Sequence, residues 1–292
     1  MRYQSPDEDS ARWSGFPFRD GDIVISTRSK TGTTWVQMIC ALLIFQTPEL
    51  PAPLAELSPW VDWLILPREE MIARLEAQPH RRFVKTHTPL DGIPLDRRAT
   101  YIVVGRHPLD MMVSLIHQSD NIDRAKLRQL TGQPDPAPGT AQRPRRPVHD
   151  RLVRFIDDDA SPQEFTDGLR GVFWHLSGAW SRREEPNIVL VHYADLVSDL
   201  PGEMRRLAGR LGIAVPPERW PALVRAATFS EMRDRADTLA PDPKGIFKDR
   251  GAFFRRGISG GGRELLTAEE LAHYEERAAS LAPADLLVWL HR

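Results

Sequence analysis

The sequence predicts an α/β protein, with a central parallel sheet flanked by helices. Four short runs rich in β-branched residues are expected to form buried strands, at residues 22–26, 82–85, 101–105 and 187–193. Helical patterns lie between and after them, at residues 33–45, 68–77, 108–119, 169–181 and 200–211. Because strands and helices alternate and the strands have no polar face, the sheet should be parallel and covered on both sides.

The organisation of the chain favours one domain over residues 1–292. Its 292 residues are 41% hydrophobic and 27% charged, which is typical of a globular protein. No internal repeat and no convincing linker divides it. The exception is the stretch at about 131–147, TGQPDPAPGTAQRPRRP, which is rich in proline and arginine and predicts an irregular insertion or a lid.

The composition excludes several classes of function. With 39 basic and 40 acidic residues the net charge is -1, so nucleic acid is not an expected partner. The single cysteine, Cys40, allows neither a disulfide framework nor a thiolate zinc site, and no metal is expected. The N-terminal stretch is polar and acidic, unlike a signal peptide, and no apolar run could span a bilayer. A cytoplasmic location is the default expectation.

The loop after the first strand has the residues of a phosphate site. In the run STRSKTGTTW, at residues 26–35, Gly32 lets successive amide N–H groups converge at the start of a helix. Lys30 adds a positive charge, and the hydroxyls of the neighbouring threonines add donors. An ordinary capped helix is the alternative, since threonine is a good capping residue. Lysine, glycine and hydroxyls together after a buried strand favour a P-loop-like, nucleotide-binding architecture.

The order of residues in this loop differs from that of a Walker A motif. Lys30 precedes Gly32, and Thr27 and Arg28 occupy the region where the first glycine of that motif would lie. No predicted strand ends in an aspartate that would hold magnesium. A nucleotide kinase or hydrolase is therefore the second candidate.

The second and third strands end in further candidate site residues. Lys85 and His87 lie on the same face of the second strand, where a neutral imidazole could act as a base and a lysine could stabilise negative charge. Arg106 ends the third strand, Asp110 favours the positive end of the helix that follows, and Ser114 lies two turns on. A structural histidine and a surface ion pair are the alternatives. Because ligands bind at the carboxyl ends of parallel strands, all three loops should face one site.

These segments resemble those of the cytosolic sulfotransferases. The similar runs, in the same order over nearly the whole chain, are TRSKTGTTW (TYPKSGTTW in the family), FVKTHTPL, RHPLDMMVS, VHYAD, TFSEM (TSFKEM) and FFRRG (FMRKG). Among the members, bacterial glycolipid sulfotransferases are most similar, through SPWVDW at residues 58–63 and HRRFVKTHTPLDG at residues 80–92.

The resemblance implies transfer of a sulfonate group from 3′-phosphoadenosine-5′-phosphosulfate (PAPS) to an acceptor hydroxyl or amine, without a metal. It implies that His87 is the general base and that Lys30, Lys85 and Ser114 complete the catalytic set. By position it also implies the residues that bind the donor: Lys30, Thr31, Gly32, Thr33, Thr34, Trp35, Arg106, Ser114, Tyr193, Thr228, Phe229, Met232, Phe254, Arg255, Arg256 and Gly257.

The chain departs from the family pattern in two segments near its C-terminal end. The GDWK segment is replaced by Gly260, Gly261, Gly262 and Arg263, and consecutive glycines are costly to order. The dimer motif KxxxTVxxxE becomes Arg263, Thr267, Ala268 and Ala272, so the usual family dimer is not expected. The altered glycine loop leaves a nucleotide-binding module without catalysis as a third possibility.

The acceptor is specified least. Trp60, Trp63 and Leu64 either line an apolar acceptor pocket or belong to the core. A glycolipid, a phenol and an alcohol all remain possible as the small-molecule acceptor.

Overall fold

Four parallel strands form the central sheet of the protein. The computed structural model describes residues 1–134, 145–242, 244–255, 257 and 259–292. The strands are β1 (Ile23–Thr27), β2 (Phe83–Thr86), β3 (Thr100–Gly105) and β4 (Ile188–His192). They pair in the order β2-β1-β3-β4, all parallel. The prediction of an α/β fold with a parallel sheet is confirmed, and each predicted strand overlaps an observed one.

The strand order creates a switch point between β1 and β3, at the carboxyl ends of the strands. The chain leaves β1 to form β2 on one side and then returns to form β3 on the other side of β1. Loops that leave β1 and β3 at their carboxyl ends therefore diverge and open a crevice between them, where ligands of open α/β sheets bind.

Helices cover both faces of this sheet within the described part of the chain. The α-helices are α1 (Thr33–Phe45), α2 (Leu54–Leu57), α3 (Arg68–Glu76), α4 (Pro108–Asn121), α5 (Arg124–Thr131), α6 (Val148–Asp157), α7 (Leu169–Trp180), α8 (Tyr193–Ser198), α9 (Leu200–Arg210), α10 (Trp220–Ala226), α11 (Phe229–Asp234), α12 (Ala236–Leu239), α13 (Ala268–Leu281) and α14 (Ala284–Leu290). Short 3-10 helices lie at Ser10–Trp13, Leu90–Gly92, Pro217–Arg219, Gly251–Phe253 and Arg263–Leu265.

Alternation along the strands builds two separate cores. In β1, Ile23 and Ile25 pack on one side with α1, α9 and α10, whereas Val24 packs on the other with α4, α6 and α7. β3 divides in the same way, with Ile102 facing the first core and Val103 the second. Burial on both faces explains why the strands are continuous apolar runs.

No helix in the described part of the chain is both long enough and apolar enough to cross a bilayer. Most of the predicted proline-rich insertion at about 131–147 lies outside the described residues. The structure describes α5, which ends at Thr131, and the chain as far as Pro134, and it resumes at 145, before α6.

Candidate functional site

The loop between β1 and α1 has the shape of an anion cradle. Gly32 has φ +115°, and a Cβ there would lie 3.1 Å from the Tyr193 ring, so the position requires glycine. Lys30 also has a positive φ, +63°, which is uncommon outside glycine and marks a constrained loop. Gly32 is the N-cap of α1 and supplies no side-chain oxygen, so no side chain caps the first turn. The helix start can therefore accept an anion.

A cavity of about 670 Å³ opens beside this loop at the carboxyl edge of the sheet. Most of the residues predicted from the sequence line it: Lys30, Gly32, Thr33, Thr34, Trp35, Lys85, His87, Arg106, Ser114, Tyr193, Phe229, Met232, Phe254, Arg255 and Gly257. The structure thus brings together segments from the whole length of the chain.

Two predicted donor-binding residues lie away from the cavity wall. The Thr31 hydroxyl is buried and donates to the carbonyl of Arg28 at 2.8 Å, so it stabilises the loop by a hydrogen bond within it. Thr228 caps α11, where its hydroxyl accepts from the Glu231 amide at 3.4 Å. A third, Arg256, lies outside the described residues.

His87 is held in one orientation by the first strand. Its Nδ1 lies 2.6 Å from the carbonyl oxygen of Thr27. Because a carbonyl can only accept, Nδ1 carries the proton and Nε2 is the unprotonated nitrogen. Burial, then Lys85 and Arg28, lower the pKa of His87 to about 3. The imidazole is therefore neutral at physiological pH, and it packs edge-on against Trp60 at 4.6 Å between ring centroids.

Cations crowd the same cavity. Burial, then Arg106, Lys85 and Arg255, lower the pKa of Lys30 to about 7. Burial also lowers the pKa of Lys85 to about 8. Arg106 donates to the carbonyl of Lys30 at 2.9 Å and its guanidinium lies 4.2 Å from the Tyr193 ring centroid. Neighbouring cations that lower the pKa of Lys30 indicate a site suited to an anionic ligand.

Arg28 and Asp167 form a buried ion pair that the sequence analysis missed. Arg28 is 1% exposed and donates both to the carbonyl of His87 and, at 2.8 Å, to Asp167. Asp167 in turn accepts from the Ser29 hydroxyl at 2.8 Å. Burial raises the pKa of the Asp167 carboxyl, but the Arg28 charge and the hydrogen bonds from Ser29 and Arg28 outweigh it, so the net pKa is below its ordinary value. The pair ties the β1 loop to the end of β2.

A local signal for Arg28 existed in the sequence, because it occupies the place of the family's tyrosine in TYPKSGTTW. Asp167 had none, since it lies 139 residues farther along the chain. Asp167 also lines the cavity, as do Asp7 and Glu8 of the N-terminal segment, which were likewise missed.

The glycine loop that replaces the family's GDWK segment is anchored by Asp110. Its carboxylate accepts from the amides of Gly260 and Gly262, both at 2.7 Å. A Cβ on Gly262 would lie 2.6 Å from the backbone carbon of Leu109, so this glycine permits a close approach to α4. Asp110 lies in the first turn of α4 as expected, and it also orders a loop that lines the cavity.

A pair of tryptophans, Trp60 and Trp63, forms part of the cavity wall. Trp60 and Trp63 are stacked, with ring centroids 5.0 Å apart and planes at 18°, and both line the cavity. Leu64, the third residue of the expectation from the sequence, does not line the cavity and is 37% exposed, so it belongs neither to this wall nor to the core.

The comparisons with known proteins define the class. Residues 20–281 match the model of the sulfotransferase domain family, and the chain belongs to that family. It shares the fold of a mouse sulfotransferase solved in complex with PAP, with a TM-score of 0.71 at 20% identity over 96% of this chain and 91% of that one. The protein is therefore a sulfotransferase, and the predicted resemblance is confirmed.

Among the relatives, the chain is 43% identical to a glycolipid sulfotransferase of Mycobacterium tuberculosis over 322 aligned positions, which cover 99% of this chain and 93% of the relative. It is 42% identical to a glycolipid sulfotransferase of Mycobacterium bovis, with the same coverage. Human sulfotransferase 2B1 is more distant, at 28% identity over 86% of this chain and 63% of the relative.

Removing Asp167 should destabilise the fold because it leaves the Arg28 guanidinium buried without its carboxylate. We expect Asp167→Ala to lower the free energy of unfolding by about 3 kcal/mol, measured by urea denaturation. Arg74→Ala, which breaks the exposed Arg74–Glu70 pair, is the matched control and should change stability little. Equal effects of the two substitutions would show that the buried pair has no structural role.

Proposed function

We propose that the protein transfers the sulfonate group of PAPS to a hydroxyl group of an amphipathic acceptor. The observation that carries the proposal is the neutral His87, whose Nε2 is free of the Thr27 hydrogen bond, in one cavity with Lys30 and Lys85. The names of the mycobacterial relatives and the PAP complex of the mouse sulfotransferase support it.

The described residues fit a nucleotide that carries two separate anionic groups. The start of α1 and Lys30 would hold the 5′-phosphate, because amides and a lysine converge there. Arg106 after β3, Ser114 on α4 and Arg255 just before Gly257 would bind the 3′-phosphate. Arg256 is assigned to this phosphate from the sequence alone.

The walls around the nucleoside would be apolar and aromatic. Trp35 is fixed by its Nε1, which donates to the carbonyl of Ala227 at 2.8 Å, and its ring meets Tyr193 edge-on at 5.4 Å. Phe229 and Met232 of α11 line the same part of the cavity. Ring faces and a flexible thioether are suited to a purine.

The roles of the catalytic groups follow from their protonation. His87 Nε2 would take the proton of the acceptor hydroxyl while the acceptor oxygen bonds to sulfur. The bond between sulfur and the phosphate oxygen breaks in the same transfer, and Lys30 would stabilise the charge left on that phosphate. Lys85 would act at the attacking oxygen, and Ser114 would keep the donor in place.

The sequence left two alternatives to a sulfotransferase, a nucleotide kinase or hydrolase and a nucleotide-binding module without catalysis. Family membership replaces the kinase or hydrolase alternative. A module that binds nucleotide without catalysis is distinguished from an enzyme by turnover alone.

Donor-product binding tests the first part of the proposal. We expect PAP (adenosine 3′,5′-bisphosphate) to raise the thermal unfolding midpoint, because a ligand selective for the folded state stabilises it. ATP with magnesium should have a much smaller effect, since ATP lacks the 3′-phosphate. Stabilisation by ATP with magnesium and none by PAP would contradict the proposal.

Replacing the base tests the second part. His87→Asn should reduce turnover at least about 100-fold, in line with the contribution of a general base. PAP binding, measured by calorimetry, should stay within a few-fold of wild type. The matched control is His273→Asn, at an exposed histidine outside the cavity, which should keep full turnover. Turnover of the His87 variant near the wild-type rate would remove the assigned role.

The lowered pKa of Lys30 predicts a pH dependence of donor binding. Only the protonated lysine attracts the phosphate, and its pKa is about 7 in the free protein. The affinity for PAP should therefore be greatest below pH 7 and fall by up to about tenfold per unit above it. Lys30→Arg stays charged throughout and should reduce the slope measured by calorimetry from pH 6.5 to 8.5 to the part that Lys85 contributes, since the pKa of Lys85 is about 8. Lys248→Arg, outside the cavity, is the control, and equal slopes in all three proteins would refute the assignment.

A further inference from the structure

A second cavity of about 270 Å³ lies behind the tryptophan pair. It shares Trp60, Trp63, Lys85 and Pro241 with the larger cavity, so the two cavities adjoin at these four residues. Six of the eleven described residues that line only the second cavity are apolar: Leu54, Ala55, Pro59, Ile65, Leu66 and Leu239.

The polar side chains that line the second cavity either have hydrogen-bond partners or lie at its opening to solvent. Gln37 donates to the Ser58 hydroxyl at 2.8 Å and to the Ser58 carbonyl at 3.0 Å, so the two side chains are paired with each other rather than available to a ligand. The charged residues Glu56, Arg74 and Lys244 are exposed, which places them at the solvent side. The cavity therefore combines an apolar interior with a charged opening.

Trp60 stands at the junction of the two cavities. Its ring centroid lies 4.6 Å from that of His87 and 4.3 Å from Lys85 Nζ. Its indole Nε1 is buried and has no hydrogen-bond acceptor among the described residues. A buried unpaired donor is costly, and an oxygen of a bound ligand at this junction would satisfy it.

We propose that the second cavity binds the alkyl chain of the acceptor, while the acceptor hydroxyl lies beside His87 in the first. This inference rests on the proposed function and names the acceptor as a hydroxylated head group joined to an aliphatic chain. An oxygen that links head and chain would lie at Trp60. A second nucleotide does not fit the second cavity, because Lys85 is the one cation that the described residues place on its inner wall, and it already faces the Trp60 ring.

Burial of a chain gives a graded signal. Each buried methylene contributes about 0.8 kcal/mol, which corresponds to about a fourfold gain in affinity. Affinity should therefore rise with chain length until the cavity is filled and then level off. A head group bound alone would show no such gradient.

The test uses methyl, butyl, octyl and decyl glucosides as probes, below their micellar concentrations and with PAP present. In the wild type, the thermal midpoint should rise with chain length. Ala55→Phe, which fills the second cavity without lining the first, should abolish the gradient. Ala73→Phe is the matched control, at an exposed position of α3 outside both cavities, and should keep it.

The outcomes separate this inference from the proposed function. The absence of a gradient in the wild type, or the same gradient in Ala55→Phe, overturns the alkyl subsite. Sulfonation of a phenol or alcohol from PAPS is measured separately, by release of PAP. A gradient without any sulfonation leaves the subsite standing and refutes the enzyme. Sulfonation with equal kcat/KM for methyl and octyl probes supports the enzyme and refutes the alkyl subsite.

Discussion

The hydrogen bond from His87 Nδ1 to the carbonyl of Thr27 joins the two strands whose ends form the site. It depends on the parallel register of β1 and β2, which pairs Ser26 with Thr86 and so brings the next residue of each strand together. The same bond leaves Nε2 as the basic nitrogen. Arg28 strengthens this junction from the opposite side by holding the His87 carbonyl. The loop at Lys30 and the His87 imidazole are therefore held in one rigid unit.

Much of the fold follows from local pattern. Continuous β-branched runs predict buried strands, and helical spacing predicts α1 within the observed bounds. No helix is predicted from the sequence after residue 211. Most of those observed there have seven residues or fewer, too short for a clear helical period. Helix α13 has 14 residues, and the capping box at Thr267 and Glu270 that marks its start is a signal the prediction did not use. The candidate site was predictable where a motif is continuous in sequence, as in the loop at Lys30.

The parts that sequence reasoning missed depend on pairs that are distant in the chain. Nothing near Asp167 indicates that its carboxylate meets Arg28, and nothing near Glu8 indicates that burial and Asp62 raise its pKa to about 8. The second cavity could not be foreseen either, because its walls come from α2, α12 and the segment after Trp63. Such features arise from packing, which has no period in the sequence.

The anchor at Asp110 has a consequence for how this region can vary among related chains. The Asp110 carboxylate accepts hydrogen bonds from backbone amides, which every residue except proline has. The side chains of the bound segment can therefore change while its backbone position is kept. Only two positions are restricted: Gly260 by its φ of +95° and Gly262 by its contact with the α4 backbone. A Cβ on Gly261 would meet nothing within 4 Å. This position, which lines the larger cavity, can therefore accept a side chain while Asp110 keeps its hold on the amides of Gly260 and Gly262.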